Sequence, residues 1–261
     1  MKFIFNKYQG TGNDFILLDN REGTYDKITT EQVKKMCDRH FGIGADGLML
    51  LNNKKGFDFE MIYYNADGLE GSLCGNGGRS ITQFANKLGI KKKEYLFSAT
   101  DGNHKAMIDL NKEVKLQMSD VKNMEFSLDH YVLNTGSPHY VTYVKGIAEM
   151  DVVDEGRKIR NSKDFAKNGI NVNFVEVLGK DEIYVRTYER GVEDETLSCG
   201  TGVTASALVS AHNDNGFNRV EVKTKGGNLS VEFDKKSETE FSNIWLCGPA
   251  TFVFSGEIEL N

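Results

Sequence analysis

An internal repeat is the feature of this sequence that most restricts its fold. Two segments, 63–89 and 187–213, run from a β-branched and aromatic stretch through an acidic loop into Cys-Gly-x-Gly and then a helical pattern. Their cysteines, Cys74 and Cys199, lie 125 residues apart, and three further pairs of segments match in the same order at offsets of 124 to 127. Solenoid units are only about 20–50 residues long. The repeat therefore predicts two homologous domains, 1–120 and 121–261.

Within each half the pattern is rich in strands and poor in helices. Alternating or β-rich segments predict strands at FDFEMIYYN (57–65), KAMIDL (105–110), EVKLQMSD (113–120), EIYVRTYE (182–189), RVEVKT (219–224) and NLSVEFD (228–234). Helical patterns occur at 29–41, where Thr30 is the predicted N-cap, and after each Cys-Gly-x-Gly. The latter two helices are small and apolar on most sides, which is typical of buried helices. We therefore expect an α+β fold in which each domain is a curved, barrel-like mixed sheet around one central helix.

Composition narrows the classes of protein. The 261 residues are 39% apolar and 27% charged, as in a globular protein. A net charge of −6 with scattered Lys and Arg argues against binding to nucleic acid or to an anionic membrane. No apolar run approaches the ~20 residues of a membrane span, and the N-terminal apolar stretch is too short for a secretory signal. Four cysteines without a CxxC or CxxH pair predict neither a disulfide framework nor zinc, so we expect a cytoplasmic protein.

Glycine is abundant, with 27 residues against 2 prolines, and part of it flanks Cys74 and Cys199. A cysteine at a helix start lies in a positive field beside unpaired backbone N–H groups. Such a field lowers the pKa of a thiol from its usual value of about 8.5. Glycines let a ligand approach the main chain, and the free N–H groups can hold a carboxylate.

Two such cysteines in repeated positions indicate a substrate held in a cleft between the domains, with one thiol on each face. Removing a proton from one face of a carbon and returning one to the other inverts the stereocentre. One cysteine must then be thiolate and the other thiol. Backbone N–H groups would stabilise the charge that develops on the substrate carboxylate.

At these residues the sequence resembles a known family. The segments NADGLEGSLCGNGGRS and YERGVEDETLSCGTGVTA, with GTGNDF and GSPH, are similar to the motifs of diaminopimelate epimerases, which belong to the racemases and epimerases that work without pyridoxal phosphate. The resemblance runs through the whole chain in order. It implies interconversion of LL- and meso-diaminopimelate, on the route to lysine and peptidoglycan, with neither metal nor organic cofactor. It also implies a homodimer, and a last strand that returns to the first domain.

The resemblance also implies roles for individual residues. Cys74 and Cys199 match the catalytic acid/base cysteines, and His139 matches a histidine that orients the first of them. Glu189 matches a glutamate beside the second cysteine, and Arg190 an arginine that grips the distal carboxylate. The remaining matches are substrate-contacting asparagines and main-chain anion cradles: Asn13, Asn65 and Asn171, and Gly75, Asn76, Gly200 and Thr201.

Three positions depart from the family pattern. Many members have Gln where this chain has Gly47, so a side-chain contact is lost there. They have Asn-Pro-His where this chain has Ser137 before Pro138 and His139, and a hydroxyl is shorter than an amide. The loop 191–196 is one residue longer than usual. These departures concern recognition of the distal end of the substrate.

Three other functions compete with this interpretation. A proline or hydroxyproline racemase would keep both cysteines, but would not need Arg190 and three asparagines. A cysteine hydrolase with His139 as base would leave one cysteine unexplained. A metal or redox module would use Cys74 and Cys199 as ligands or as a switchable disulfide. Cys37 and Cys247 lie outside Gly-rich segments and are expected to be buried packing residues.

Overall fold

Strands outnumber helices in the described part of the chain, which is residues 1–212 and 215–260 of a computed structural model. Asn213, the last residue of the second repeat segment, lies outside the described residues. The chain divides into two units. Unit 1 comprises Met1–Leu116 and Pro249–Asn261, and unit 2 comprises Gln117–Gly248. Among the described residues, no helix is both long and apolar enough to cross a bilayer.

The elements follow one another along the chain with short connections. Those of the first half are β1 (Lys2–Gly10), β2 (Asn13–Asp19), α1 (Thr30–Cys37), β3 (Gly47–Asn52), β4 (Phe59–Asn65), β5 (Glu70–Gly71), α2 (Gly75–Lys87), β6 (Tyr95–Ala99), β7 (Gly102–Ile108) and β8 (Val114–Gln117). Those of the second half are β9 (Met124–Phe126), β10 (Tyr131–Asn134), β11 (Pro138–Tyr143), a 3-10 turn (Ile147–Glu149), α3 (Val152–Arg160), β12 (Asn171–Gly179), β13 (Glu182–Glu189), β14 (Asp194–Thr196), α4 (Gly200–Val209), β15 (Gly216–Thr224), β16 (Gly227–Lys235), β17 (Phe241–Gly248) and β18 (Thr251–Glu259).

The two units repeat the same order of elements and the same sense of pairing. In unit 1, β2 runs parallel to β3 and β4 parallel to β6, while β1–β2, β3–β4, β4–β5 and β6–β7 are antiparallel. In unit 2, β11 and β12 are parallel, as are β13 and β15, and the corresponding hairpins are antiparallel. An extra strand pairs antiparallel with the first strand of each repeat, β18 with β1 and β9 with β10. The expected α+β fold with two repeated domains is confirmed.

Each mixed sheet curves around one helix. Helix α2 contacts β1, β2, β3 and β7, so strands far apart in the sheet order pack on the same helix. Helix α4 likewise contacts strands from β10 to β17, and its side chains Val203, Ala205, Ala207 and Leu208 lie in the apolar core of unit 2. Burial of apolar area at about 25 cal/mol per Å² stabilises this arrangement. The central helix of each unit begins at one of the repeated cysteines.

The strands expected from alternation all occur, with their ends shifted by a few residues. The helix near residue 30 also occurs, but Thr30 is not its N-cap. Thr29 is the cap, since its hydroxyl accepts the N–H of Gln32 at 3.2 Å while the Gln32 side chain accepts the N–H of Thr29 at 3.1 Å. Glutamine three residues after Thr29 completes a capping box that Thr30 cannot form.

Candidate active site

Cys74 is the N-cap of α2, and its sulfur is held by the start of that helix. The N–H of Gly77 donates to Sγ at 3.1 Å. The thiol in turn donates to the side-chain oxygen of Asn13, 3.7 Å away. The sequence predicted both Cys74 and Asn13 as site residues, and the fold brings them together because β2 begins beside the N-terminus of α2.

A second amide, Asn76, joins this pair. Its Nδ2 donates to Oδ1 of Asn13 at 3.4 Å, and its own Oδ1 accepts from Nη2 of Arg79 at 2.9 Å. Arg79 is fully buried and also donates to the hydroxyl of Thr11 and the carbonyl of Gly75. Sequence reasoning missed Arg79 and Thr11. The available signal was an arginine in the first turns of a helix expected to be buried on most sides.

The other side of Asn13 faces a carboxylate, which sequence reasoning also missed. Nδ2 of Asn13 donates to Asp46 at 2.5 Å, and Asp46 also accepts from Arg39 at 2.6 Å. Asp14 pairs with Arg39 and with Lys7, both at 2.7 Å. Burial alone would raise the pKa of Asp14, but the hydrogen bonds and charges of these two cations outweigh it and lower the pKa to about 2.

Asn65 and Gly47 occupy facing positions where β3 and β4 pair. Asn65 donates to the carbonyl of Leu69 at 3.5 Å, within the β4–β5 turn. A Cβ at Gly47 would lie 2.4 Å from Cε2 and 2.7 Å from the hydroxyl of Tyr63. The space that a larger residue at position 47 would need is therefore filled by Tyr63. The sequence showed that position 47 lacks a side chain, but it did not show that the Tyr63 ring occupies the space beside it.

Cys199 is the N-cap of α4, as Cys74 is of α2. Its sulfur lies 3.5 Å from the hydroxyl of Thr201. Glu189, the last residue of β13, is hydrogen-bonded to Cys199. Burial raises the pKa of the Glu189 carboxyl, and the hydrogen bond from Cys199 opposes that rise. An acid/base group therefore lies directly beside this thiol.

The second glycine of each Cys-Gly-x-Gly motif lies in close packing, and the restriction is stricter at Gly202 than at Gly77, where the nearest atom is the end of a flexible methionine side chain. A Cβ at Gly202 would lie 2.3 Å from Oδ1 of Asn173, and a Cβ at Gly77 would lie 2.9 Å from Cε of Met49. Real Cβ atoms do not approach other heavy atoms so closely, because interiors are already packed at crystal density. The glycine lets each helix start sit against the neighbouring strand.

Asn171, Ser137 and Arg190 form a second polar group in unit 2. Nδ2 of Asn171 donates to the Ser137 hydroxyl at 2.8 Å, so the shorter serine side chain meets the amide directly. Oδ1 of Asn171 accepts the backbone N–H of Arg190 at 2.9 Å. The exposed Arg190 side chain donates to the carbonyl of Asn168 at 3.0 Å. Among the described residues, no carboxylate forms an ion pair with Arg190.

His139 is completely buried, and its ring is fixed by Asn173. Nδ2 of Asn173 donates both to the carbonyl of Tyr140 and to Nδ1 of His139, each at 3.0 Å. Nε2 therefore carries the ring proton, and within the described part of the chain it has no hydrogen-bond partner. Burial lowers the pKa of His139 to about 3, and the charge of Arg190 adds to that effect. His139 is thus neutral, and the hydrogen that it can donate is the one on Nε2.

The longer loop at 191–196 is held by Glu193, which adopts a left-handed backbone conformation at φ 58°. Its carboxylate accepts the N–H of Gly191 at 3.1 Å and the hydroxyl of Tyr188 at 3.0 Å.

Within the described ranges, no group of three or more His, Cys, Asp or Glu side chains is arranged to hold a metal ion.

Comparison with known proteins decides the family. The family model for diaminopimelate epimerase matches the chain twice, at residues 5–124 and 131–253. The chain belongs to the diaminopimelate epimerase family. Two curated members illustrate the similarity: one from Flavobacterium psychrophilum is 48% identical and covers 97% of this chain and 98% of its own length. One from Chlorobaculum tepidum is 43% identical, with 96% and 99% covered.

Solved structures share the fold at much lower identity. A phenazine biosynthesis protein of the PhzF family from Bacillus anthracis superposes with a TM-score of 0.76 over 100% of both chains at 15% identity. A probable proline racemase from Agrobacterium radiobacter gives 0.68 at 14% identity, with 99% of this chain and 93% of that chain covered. Enzymes named for different reactions thus share this architecture, and the substrate has to be inferred from the residues of the site.

Proposed function

We propose that this protein interconverts LL- and meso-diaminopimelate by removing a proton from one face of an α-carbon and delivering another to the opposite face. Cys74 and Cys199 are the acid and base, and they exchange roles with the direction of reaction. The observation that carries the proposal is their equivalence: each is the N-cap of the central helix of its own repeated unit. The mechanism requires the two domains to hold one substrate between these thiols.

The neighbouring residues supply the remaining functions. The helix starts at Gly75–Asn76 and Gly200–Thr201 offer backbone N–H groups to the α-carboxylate and to the charge that develops on it. Glu189 exchanges the proton of Cys199. The neutral His139 orients the first cysteine, and its Nε2–H, which has no partner among the described residues, is available as a donor for this role. Arg190, with a guanidinium that no carboxylate neutralises among the described residues, receives the distal carboxylate. Asn13, Asn65 and Asn171 bind the polar groups of the substrate.

The test is deuterium incorporation. Purified protein incubated with LL-diaminopimelate in D₂O should form the meso isomer with deuterium at the inverted α-carbon. Cys74→Ala and Cys199→Ala should each reduce turnover by more than about 10²-fold, since each removes a proton-transfer group. The matched controls are Cys37→Ala and Cys247→Ala, which remove buried thiols remote in sequence from the motifs and should keep turnover. Burial raises the pKa of Cys37 to about 12, so that thiol supplies no base.

Each competing function has its own outcome in this experiment. If one motif cysteine proves dispensable, the two-base mechanism is wrong and a cysteine hydrolase becomes the better account. Exchange into proline but not diaminopimelate would identify a proline racemase. Loss of activity with EDTA would indicate a metal. We expect turnover without added cofactor and no effect of EDTA.

We further propose that the protein acts in the cytoplasm as a homodimer formed through β18. Phe252, Val253 and Phe254 on this strand remain 41%, 51% and 45% exposed, and Ile4 on the paired strand β1 is 56% exposed. A cluster of exposed apolar side chains is typical of an interaction surface, and a two-fold dimer uses the same patch on both copies. Light scattering should give twice the chain mass of 29.2 kDa. Val253→Glu should give the single mass, and a monomeric wild type would contradict the proposal.

A further inference from the structure

The amide of Asn13 is fixed at both ends by groups that permit only one orientation. The guanidinium of Arg79 can only donate, so the atom of Asn76 that it contacts at 2.9 Å must be the oxygen. Nδ2 of Asn76 then donates to Asn13 at 3.4 Å, so that atom of Asn13 is its oxygen. Because Arg79 can only donate, it determines the orientation of the side-chain amides of both Asn76 and Asn13.

The opposite end imposes the same orientation independently. The carboxylate of Asp46 accepts from Arg39 at 2.6 Å and from the backbone N–H of Asp14 at 3.1 Å. An ionised carboxylate has no proton to donate, so the Asn13 atom 2.5 Å from it must be Nδ2. A donor-only group and an acceptor-only group thus fix the amide between them, and its oxygen is left facing Sγ of Cys74 at 3.7 Å.

A carbonyl oxygen beside sulfur favours the thiol over the thiolate. The thiol donates S–H to Oδ1 of Asn13 and accepts N–H from Gly77, whereas a thiolate would face the negative end of the amide dipole. The reversed amide would donate to a thiolate, but reversal would break the bonds to Asp46 and Asn76. The fixed orientation therefore acts on the protonation of Cys74.

We propose that Asp46 and Arg79 are positioning residues that hold the Asn13 carbonyl toward Cys74, so that Cys74 carries its proton in the resting protein. This role rests on the proposed function, in which a resting thiol is the proton donor. The charged groups of unit 1 that take part in the network are Lys7, Asp14, Arg39, Asp46 and Arg79, and the Asp101 carboxylate accepts the backbone N–H of Leu73, next to Cys74, at 3.4 Å. The positive charge of Arg79 lowers the pKa of the Cys74 thiol, whereas the negative charge of Asp46 raises it. Removing one charge or the other therefore shifts this pKa in opposite directions.

The experiment uses the alkylation of Cys74 by iodoacetamide, which reacts with the thiolate and needs no substrate. The rate is followed against pH, and the Cys74 peptide is quantified by mass spectrometry. In Asp46→Asn the acceptor-only group is gone, so only the 3.4 Å bond from Nδ2 of Asn76 still holds the Asn13 oxygen toward Cys74, and the reversed amide becomes accessible. The midpoint of the pH–rate curve for Cys74 should fall by roughly half a unit to one unit, with the limiting rate at high pH unchanged. Loss of the Asp46 charge also lowers the pKa of a nearby thiol, so the charge-conserving Arg79→Lys decides whether the orientation of Asn13 is the cause, and an unmoved midpoint in Arg79→Lys would overturn the proposal.

The matched control is Asp58→Asn. Asp58 also accepts a backbone N–H, that of Leu96 at 2.8 Å, and also pairs with a cation, Lys92 at 2.9 Å, but it lies outside the network. Its midpoint should equal that of the wild type. Arg79→Lys, which keeps the charge but loses the fork that holds Asn76, should shift the midpoint in the same direction as Asp46→Asn.

A merely structural role for Asp46 gives a different result. Loosening of the site would raise the limiting rate at high pH without moving the midpoint, and that outcome overturns the proposal, as does an unchanged curve. Failure of the proposed reaction would not affect this readout, because a chain with no epimerase activity could still show the shift. Conversely, an active epimerase with an unmoved midpoint would contradict only the role assigned to Asp46 and Arg79.

Discussion

The side-chain amide of Asn173 donates to Nδ1 of His139 at 3.0 Å, and this bond determines what the histidine can do. The amide orientation is fixed by a second bond to the Tyr140 carbonyl and by the Thr187 hydroxyl that Oδ1 accepts at 2.9 Å. His139 therefore holds its proton on Nε2 and is neutral at physiological pH. The resemblance implied a histidine that orients a cysteine; the geometry argues against a general base, because Nδ1 is occupied and Nε2 already carries the proton.

The first prediction concerns the titration of His139. Because burial lowers its pKa to about 3, its ring resonances should not shift between pH 4.5 and 8 in NMR spectra, with His139→Asn used for assignment. The unfolded chain binds a proton near pH 6.5 that the folded chain does not, so stability should fall as pH drops below 6.5, by up to ~1.4 kcal/mol per pH unit. A ring that titrates near pH 6–7 would contradict this.

The second prediction concerns Glu189. Replacing it by Gln keeps the shape but removes the carboxyl group that, in the proposed mechanism, exchanges a proton with Cys199, so kcat/KM should fall by about 10²- to 10⁴-fold. Circular dichroism should be unchanged. Glu149→Gln, an exposed change in the same unit, should leave kcat/KM as in the wild type. Activity of Glu189→Gln within twofold of the wild type would remove Glu189 from the proposed mechanism.

The third prediction tests whether close packing explains the second glycine of the Cys199 motif, Gly202. Gly202→Ala places a methyl group 2.3 Å from Oδ1 of Asn173, so α4 or β12 must shift. Overpacking of this kind costs about 1–3 kcal/mol, measurable as a lower urea midpoint. The control is Gly179→Ala, where the nearest atom is 3.6 Å away, and which should change stability by less than about 0.5 kcal/mol. Equal effects of the two substitutions would show that packing is not the reason.

The sequence contained enough to predict the repeated α+β plan, because hydrophobic alternation and the spacing of the two cysteine motifs are local patterns. It was also enough to select Cys74, Asn13, Cys199 and Glu189 as candidate site residues. Helix α3 was missed even though it is the counterpart of α1 in the repeat: both lie between the parallel strands of their units. Its cap, Asp151, and its acidic first turn were readable signals.

Partners that meet through tertiary contact could not be read from the sequence. Asp46 and Arg79 are distant from Asn13 in the chain. Only the pairing of β2 with β3 brings Asp46 to the Asn13 amide, and only the packing of α2 brings Arg79 to it through Asn76. The same holds for Tyr63, whose ring fills the space beside Gly47. Sequence motifs identify the residues that do chemistry, whereas the groups that orient them depend on long-range packing.

The fourth prediction concerns acid stability and Asp14. Its pKa of about 2 in the folded chain lies below the ordinary value of 3.8, so its ion pairs with Lys7 and Arg39 stabilise the fold above about pH 4. By linkage this contribution is about 2 kcal/mol at neutral pH and is lost as pH falls toward 2. Asp14→Asn should therefore be less stable than the wild type at pH 7 by about that amount. In urea titrations at pH 7, 5, 4 and 3 the gap should narrow below pH 4, because the wild-type carboxylate then begins to bind a proton on unfolding. A gap that stays constant down to pH 3 would show that these ion pairs do not depress the pKa of Asp14.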